Sequence, residues 1–481
     1  MKKLKSLYKS SILLLFSSLL IVGCEDSIEG INTDPLAATN ISASLLMPQV
    51  LLAGISANRT VELNSMNMHS QSWSATVGFG VFVNPERYNI SANTTNNVWV
   101  GQYTTALRNL QQMRILTERN NPEALNIIGQ AKVLEAFAYL NLTQIFGDIP
   151  YSESLQVAEF SNPNFDTQEE ILRSLPNLLD EALANLATDT DIIESADLIY
   201  NGDRQSWVRF ANSLKLKCYM LIANVDAPSV QAEIQAVANQ PLILEASQDA
   251  VLNYTGTPGN ENPIWKTIDQ FGGGVNTFWG GGIPLIDIMN ANDDPRRATY
   301  FDTNDDGEFV GQEQGVFSTD GVSTISLNII RPEMPDRYAT ASETNFYLAE
   351  AALLGYISGD ANAFYRAGIT ASLDSYDGTP GAISQADKDA YLASPRASIS
   401  DDSEAADALL KIHEEAYVAD FTRAIESWTD WRRNKVPTIT LPTGAVLTDF
   451  IRRYQIPLSE VTSNVNAPEV EDLTTPMWFE K

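Results

Sequence analysis

Apolar residues recur at every third or fourth position between Ile127 and Ile145, with polar residues between them. This spacing is typical of an amphipathic α-helix, because it places the apolar side chains along one face. The helix is expected to end at residues 146–150, FGDIP, since Gly147 can adopt a left-handed cap and Pro150 cannot continue a helix. A chain with several such stretches has to bury their apolar faces against one another.

Seven further stretches show the same periodicity. They cover residues 97–119, 168–186, 207–224, 342–358, 361–376, 405–417 and 421–434. Residues 225–340 are rich in Gly, Pro and Asn, which is typical of long loops. We therefore predict an all-α fold of tetratricopeptide-type helical hairpins, indicated by the spacing of Ala351 and Ala363, with a loop-rich capping region. The predicted boundaries are a domain at 41–481, its helical scaffold at 41–224 and 341–481, and its loop-rich region at 225–340.

The N-terminus is predicted to be a lipoprotein signal peptide. Four lysines precede an apolar run from Ile12 to Val22, which is shorter than the ~20 residues that a membrane span needs. Gly23 then precedes Cys24, whose thiol would carry the lipid once residues 1–23 are removed. Residues 24–40 would form the anchor and tether, and their first acidic residues resemble a surface-export signal of Bacteroidetes lipoproteins. An uncleaved short membrane anchor is the alternative.

Acidic residues greatly outnumber basic ones. Without the signal peptide the chain carries 61 acidic and 27 basic residues, a net charge near −34. Nucleic acid is not expected as a partner, because phosphate binding needs a basic surface. The negative field would also repel other polyanions, such as sulfated or uronic-acid glycans, although the charge could instead serve solubility alone. The two cysteines, Cys24 and Cys218, predict no disulfide framework.

The side chains on which many enzymes rely are scarce. Two histidines, His69 and His413, leave little for histidine-based acid–base or nucleophilic catalysis. His413 opens a stretch that resembles a zincin helix, but Tyr417 stands where the second histidine ligand is needed. We therefore expect no enzymatic activity and no required cofactor. A glycosidase, which needs only two carboxylates placed by the fold, is the alternative.

Several motifs, in a fixed order, resemble the SusD/RagB family of outer-membrane lipoproteins. The most specific block runs from Trp99, Tyr103, Leu107 and Asn109 through 131–140 (AKVLEAFAYL) to 146–151 (FGDIPY). The later blocks are 207–215 (WVRFANSLK), 294–296 (DPR), 346–351 (FYLAEA), 426–433 (ESWTDWRR), 453–457 (RYQIP) and 478–481 (WFEK). The resemblance covers the whole mature chain and is greatest to the shorter branch of the family, SusD-like 2.

This resemblance implies a surface-exposed, lipid-anchored outer-membrane protein that binds an oligosaccharide or polysaccharide. Such a protein would act as a hinged lid and deliver its ligand to a TonB-dependent transporter of the SusC type, without catalysis. Relatives of the RagB type handle peptides, so capture of peptides or proteins is the alternative function. A secreted glycosidase is a third possibility.

Glycan binding without catalysis needs flat aromatic faces beside polar groups, because sugar rings present apolar C–H faces and polar rims. Two stretches offer both, residues 69–89 and 265–279. The resemblance likewise implies a ligand surface built from the segment before the Trp99 helix and from the mid-chain loops. The candidate ligand-binding residues are Trp279, Trp73, Trp265, Phe278 and Tyr88, with loop packing as the alternative role. Core packing is expected for the tryptophans in periodic helices, which are Trp99, Trp207, Trp428 and Trp431.

Residues 302–313 match the spacing of a twelve-residue calcium loop. The side chains or carbonyls that would supply ligands belong to Asp302, Asn304, Asp306, Glu308 and Glu313. The flanking sequence does not predict helices, so the alternative is a plain hairpin whose turn is Asp306 and Gly307. Calcium is therefore a possible cofactor suggested by this spacing alone.

Overall fold

Long helices form where the apolar periodicity predicts them. The computed structural model describes residues 41–60, 64–78, 80–400, 404–469 and 472–480. The helix predicted at 168–186 has the same bounds in the structure, Gln168–Leu186. The helix predicted at 127–145 is slightly longer, Leu125–Phe146. The all-α prediction is confirmed.

The helices follow one another along the chain, and some are joined by long connections, such as residues 147–167 and 301–340. In the first half they are α1 (Ala57–Thr60), α2 (Met66–His69), α3 (Gly80–Glu86), α4 (Ala92–Val100), α5 (Arg108–Asn120), α6 (Leu125–Phe146), α7 (Gln168–Leu186), α8 (Arg204–Asp226) and α9 (Gln231–Val237). In the second half they are α10 (Pro263–Gly272), α11 (Ile283–Ala291), α12 (Arg297–Tyr300), α13 (Ala341–Leu353), α14 (Ala361–Asp374), α15 (Gln385–Leu392), α16 (Ala405–Ala419), α17 (Ala424–Asn434) and α18 (Leu458–Ser463). Two π-helical segments, Gln49–Ser56 and Gly101–Leu107, and four 3-10 turns, Ala43–Leu45, Ala227–Ser229, Ala246–Gln248 and Pro395–Ala397, complete the described helical structure.

Local sequence signals fix the ends of the long helices. A capping box begins α7, since the Glu170 backbone N–H donates to Thr167 Oγ1 at 3.3 Å and the Thr167 N–H donates to Glu170 Oε2 at 2.9 Å. Helix α6 ends at Gly147, whose φ of +83° is accessible mainly to glycine. A side chain at Gly147 would also collide with the guanidinium of Arg453. The C-terminal segment therefore packs directly on the end of α6.

Neighbouring helices pack as antiparallel hairpins. Helices α13 and α14 lie along each other, as do α6 with α7 and α7 with α8. Gly368 lets α14 approach α13 closely, because a Cβ at this position would lie 2.6 Å from the ring of Phe346. The rings of Phe346 and Tyr365 then meet with centroids 6.2 Å apart in a buried cluster. This is the hairpin that the small residues of the 345–376 stretch predict.

The described strands form two short antiparallel pairs. Strand β1 (Trp73–Ala75) pairs with β3 (Trp279–Gly281), and β2 (Ala250–Leu252) pairs with β4 (Asp336–Ala339). In the first pair Trp73 lies opposite Gly281 and Ala75 opposite Trp279. The first pair joins β3, in the segment between α8 and α13, to β1, which lies before α8. The second pair lies within that segment, and its strand β4 ends just before α13. The helices between residues 227 and 340, α9 to α12, are at most ten residues long.

A network of ion pairs is buried where the helices meet. Its seven members are Arg59, Lys217, Asp336, Glu343, Asp420, Arg423 and Glu426, and they come from α1, α8, α13, α17, β4 and the turn before α17. Glu426 is central, since it lies 3.2 Å from Arg59 and 3.4 Å from Lys217. We call these residues the buried ion network. Because every charge in it has a partner, the network can be buried without a prohibitive desolvation cost.

Residues 43–481 form one compact unit. Within the part of the chain that the structure describes, helices fall short of the combined length and apolarity that crossing a membrane requires. Residues 1–40, including Cys24, lie outside the described residues. The signal peptide, lipid anchor and tether, and the boundaries drawn at 41, 225 and 341, stay predictions from sequence.

Candidate functional site

A cluster of buried aromatic rings underlies the loop-rich region. Trp73 lies between Trp279 and Phe421, with ring centroids 5.8 and 5.7 Å away. The indole Nε1 of Trp73 donates a hydrogen bond to the carbonyl oxygen of Phe421 at 2.8 Å. Tyr300 stacks on the other side of Phe421 with a centroid distance of 4.4 Å. We call Trp73, Trp279, Tyr300 and Phe421 the ring core.

The turn at residues 294–296 holds α12, and with it Tyr300, against the ring core. Arg296 is fully buried; its Nε donates to Asp294 Oδ1 at 2.9 Å and its Nη2 to Glu415 Oε2 at 2.6 Å. Burial alone would raise the pKa of Glu415, but Arg296 and Arg396 lower it to about 2. The carboxylate therefore stays ionised and the turn stays pinned to α16.

Four of the five candidate ligand-binding residues are buried. The exposed fractions are 0% for Trp73, 3% for Trp279, 4% for Phe278 and 1% for Tyr88. Tyr88 packs against His69, with ring centroids 5.6 Å apart. The expectation that these rings stand at the surface is thus corrected: they support a surface from below, in the packing role given as their alternative.

Glycines beside Trp279 explain this burial. A Cβ at Gly281 would lie 2.5 Å from the ring of Phe301, and a Cβ at Gly282 would collide with the carbonyl oxygen of Gln71. These glycines therefore allow close backbone packing of β3 rather than forming a loose loop. Strand β3 therefore places the ring of Trp279 in the interior.

Trp265 and its neighbours on α10 do reach the surface. Trp265 is half-buried and packs on the cluster that contains the ring core, whereas Phe271 is 59% exposed and Val275 is 56% exposed. Asp269 and Gln270, between the two rings in sequence, are also exposed. We call Trp265, Asp269, Gln270, Phe271 and Val275 the α10 face.

The loop after α10 is held firmly. Asn276 is buried, and its Nδ2 donates to the carbonyl oxygens of Trp279 at 2.9 Å and of Ile325 at 2.7 Å. Its Oδ1 accepts from the backbone N–H groups of Phe278 and Trp279, both at 3.2 Å. One amide thus ties the loop to β3 and to the segment at Ile325. The α10 face is therefore carried on a rigid support.

Phe317 packs on the same buried cluster and forms a cation–π pair with Arg87. The guanidinium carbon of Arg87 lies 4.5 Å from the ring centroid of Phe317. Arg87 also donates to the carbonyl oxygens of Gly315 at 3.0 Å and Thr443 at 3.1 Å. Phe271 and Arg87 lie within the two stretches that the sequence singles out, although they are not among the five candidate residues, whereas Phe317 lies outside both stretches.

Glu86 joins three segments beneath this pair. It is fully buried, and its carboxyl group accepts from Ser74 Oγ at 2.6 Å and from the Ala75 N–H at 3.3 Å. Burial raises the pKa of Glu86 to about 7, although hydrogen bonds from Ser74, Gly315 and Ala75 and the charge of Arg87 oppose the shift. The group therefore titrates near neutral pH.

Glu86→Gln is expected to flatten the pH dependence of stability. In the unfolded chain Glu86 ionises near pH 4.5, whereas in the folded chain it holds its proton up to about pH 7. Its stabilising contribution is therefore complete below pH 4.5 and is lost as the pH rises through 7, by at most about 3 kcal/mol. Denaturant unfolding at pH 5, 6, 7 and 8 should show a steeper fall for the unsubstituted chain. Parallel curves would contradict the shifted pKa.

The predicted calcium loop forms a hairpin turn. Phe301 bridges Ile325 in antiparallel fashion, and the Ser323 N–H donates to the carbonyl oxygen of Val310 at 2.9 Å. Gly307 occupies the tip with a φ of +81°. The hairpin alternative therefore describes the backbone of this segment.

The side chains of this turn do not converge on a common point. Asn304 Oδ1 accepts from the N–H groups of Asp306 at 3.1 Å and Glu308 at 2.9 Å, so it is engaged within the turn. Glu313 accepts from Thr443 Oγ1 at 3.3 Å, and Asp302 is exposed. Over the described ranges, no group of three acidic, histidine or cysteine side chains is placed to hold a metal. The residues do not fit calcium in this arrangement, and calcium binding stays a prediction.

Both histidines are held in structural contacts. His69 Nε2 lies 3.1 Å from Tyr454 Oη, and burial together with Arg432 lowers the pKa of His69 to about 3, so the ring is neutral at physiological pH. His413 Nε2 lies 3.2 Å from Glu350, which also pairs with Arg433. Tyr417, in place of a zinc ligand, donates from Oη to the carbonyl oxygen of Ser70 at 3.0 Å.

The sequence profile of SusD-like 2, described as starch-binding associating with outer membrane, matches residues 35–457. The chain belongs to this SusD-like family, whose members associate with the outer membrane. Comparison with curated proteins gives no significant match.

Solved structures of the same fold cover nearly the whole chain. A chitin-binding SusD homologue from Flavobacterium johnsoniae has a TM-score of 0.74 at 24% identity, covering 91% of this chain and 98% of that one. A SusD homologue from Bacteroides fragilis has a TM-score of 0.77 at 21% identity, covering 91% and 100%. A SusD-like protein from Bacteroides thetaiotaomicron has a TM-score of 0.75 at 21% identity, covering 91% and 98%. These similarities establish the helical fold.

Proposed function

We propose that this chain binds a neutral oligosaccharide on the α10 face and does not transform it. The observation that carries the proposal is the half-buried ring of Trp265, which packs on the cluster that contains the ring core and lies one helical turn from the exposed carboxylate of Asp269. Such a ring can stack on the C–H face of a sugar while Asp269 accepts hydrogen bonds from its hydroxyl rim. The family description and the chitin-binding relative support a glycan as the ligand.

The charge of the chain favours a neutral glycan. A net charge of −30, or near −34 without the signal peptide, produces a field that repels uronate or sulfated polymers. Asp269, which is exposed on the α10 face, adds a local negative charge. Peptide capture of the RagB type is the second candidate function, and the experiment below separates it from glycan binding.

The proposal also includes a lipid anchor at Cys24 and a transporter as partner. Cys24 would carry a lipid that holds the chain on the outer membrane, in line with the family's association with that membrane. The ligand would pass from this surface-exposed protein to a TonB-dependent transporter of the SusC type. The absence of catalysis is supported by His69 and His413, both of which are engaged in structural contacts.

Loss of the two accessible rings of the α10 face should abolish most of the binding. We expect the double variant Trp265→Ala, Phe271→Ala to weaken glycan affinity by about 1–3 kcal/mol, or roughly five- to 150-fold in Kd, because a desolvated aromatic contact is lost. The full-length chain in detergent would be titrated by calorimetry with malto-oligosaccharide, chitin oligosaccharide and an alginate oligomer.

Matched variants make this test specific. The conservative double variant Trp265→Phe, Phe271→Tyr keeps a ring at each position and should bind like the unsubstituted chain. Leu458→Ala removes a 69% exposed apolar side chain from α18 and should leave affinity unchanged. Binding of the alginate oligomer alone, binding of peptides but no glycan, or full affinity in the ringless double variant would each contradict the proposal.

A further inference from the structure

A wide cleft of about 810 Å³ lies apart from the α10 face. It opens between the segment at residues 244–251 and helix α14, and no residue of the α10 face lines it. This volume lies within the range of sites that hold small molecules or short chain segments. The cleft is therefore large enough for a ligand of its own.

Asp249 places an unpaired carboxylate oxygen in this cleft. The residue is only 8% exposed, and its Oδ1 accepts from the backbone N–H of Ala341 at 2.7 Å. Its Oδ2 accepts no hydrogen bond from the described part of the chain, although the side chain lines the cleft. Burial raises the pKa of Asp249 to about 7, with Arg337 and the Ala341 N–H opposing the shift. A cation beside Oδ2 would pair with the carboxylate and favour its ionised form.

The charges around the cleft are mainly negative. Glu245, Asp249, Asp374 and Asp377 contribute carboxylates to the lining, against the single guanidinium of Arg337. The ammonium of Lys388 lies 2.7 Å from Asp374 and 2.6 Å from Asp377 and offsets part of this charge. Even with Asp249 protonated, three carboxylates against two cations leave a net negative site, which is complementary to a cationic ligand.

The remaining lining is aliphatic rather than aromatic. Leu244, Ala246, Val251 and Ala371 contribute apolar surface, and Leu244 is exposed at the rim. Among the described residues that line the cleft there is no aromatic ring on which a sugar could stack. Small apolar side chains around a negative centre suit the aliphatic stem and charged head of a lysine better than they suit a pyranose ring.

We propose that this cleft is a second binding site, which takes an extended peptide segment bearing a basic side chain whose charged head lies against Asp249. The site would act independently of the glycan-binding α10 face. It would let the protein hold a basic peptide segment, free or within a partner protein, while its sugar-binding surface is occupied.

Calorimetric titration of the full-length chain tests the proposal. The probe is an end-blocked pentapeptide of alternating lysine and alanine, and its control is the same peptide with glutamine for lysine. We expect the lysine peptide to bind and the glutamine peptide to bind at least about tenfold more weakly, since a charge-assisted contact is lost. A glucosamine tetramer, which carries amines on sugar rings, tests the other class of ligand.

Variants locate the binding. Asp249→Asn keeps the acceptor for the Ala341 N–H and should weaken the lysine peptide by about tenfold or more. Asp377→Asn, at a side chain that is 59% exposed, should weaken it without risk to folding, and Asp189→Asn, an exposed aspartate outside the cleft, should not change it.

Measuring glycan affinity in the same variants separates peptide binding in the cleft from glycan binding on the α10 face. Binding of neutral glycans should be unaffected in Asp249→Asn, whatever the outcome for the peptide. Equal affinity for the lysine and glutamine peptides would overturn the proposal, as would full affinity in both Asp249→Asn and Asp377→Asn. Asp249-dependent binding of the glucosamine tetramer without peptide binding would overturn the assignment to peptide.

Discussion

Replacing Trp279 with alanine is expected to lower the free energy of unfolding by about 3–5 kcal/mol, the range for truncating a buried tryptophan. The ring is 3% exposed and lies 5.8 Å from Trp73 within a packed aromatic cluster. The rigid glycine-flanked strand β3 leaves little freedom for the surroundings to collapse into the cavity. Chemical denaturation and the melting temperature of the full-length chain would measure the loss.

Phe271→Ala is the matched control for this prediction. It also removes an aromatic ring from the glycine-rich region, but the ring is 59% exposed, so stability should change by only about 0.5 kcal/mol. If Trp279→Ala were as stable as the unsubstituted chain, the buried position of Trp279 would be wrong. The ring would then be available as the exposed platform that its sequence context first indicates.

Glu426→Gln is expected to destabilise the fold by about 3–5 kcal/mol, because it leaves buried cations without their counter-charge. Burial alone would raise the pKa of Glu426, but Arg59, Lys217 and Arg423 lower it below its usual range. Its stabilising contribution is therefore complete above the ordinary carboxyl pKa and lost only as the pH falls into strong acid. The amide keeps the size of the side chain, so the loss reports on charge rather than on packing. Denaturant unfolding at pH 7 would measure it.

Glu181→Gln provides the comparison on the surface. Glu181 pairs with Lys132 at 2.6 Å, but its side chain is 64% exposed, so solvent screens the interaction and the expected cost is about 0–1 kcal/mol. Similar small losses in both variants would show that the buried ion network contributes little to stability. Such a result would also imply that water reaches Glu426.

The helical framework could be predicted because its signals are local. Apolar spacing, the Thr167 capping box and the Gly147 stop act within a few residues, and each fixes an element whatever the rest of the chain does. The π-helical segment Gly101–Leu107 could not be predicted, since its neighbours carry the same periodicity as an ordinary helix. The buried ion network could not be predicted either, because its members come from four separate stretches of the chain, at residues 59, 217, 336–343 and 420–426.

The burial of the candidate ligand-binding residues was harder to predict, because it depends on contacts between segments that are distant in sequence. Glycines at 280–282 indicate either a loose loop or a close backbone approach, and only the position of Phe301 and Gln71 in space decides between them. The sequence therefore favours a surface position for Trp279, whereas its ring belongs to the interior. Trp265 could be recognised, since it lies one residue after the inward-facing Ile264 and thus on the flank of α10. No local signal distinguished Phe317, whose partner Arg87 lies 230 positions earlier.

The ring core is assembled from stretches that are remote along the chain. Trp73 bonds Phe421 across 348 positions, and Thr76 Oγ1 donates to the carbonyl oxygen of Thr277 across 201. Closing such loops costs conformational entropy before any contact offsets it, so we expect these pairings to form after hairpins such as α6 with α7. The support beneath the α10 face would thus be among the last parts to mature. Binding at the α10 face would then be restricted to molecules that have finished folding, and a partly folded chain would not bind the proposed ligand.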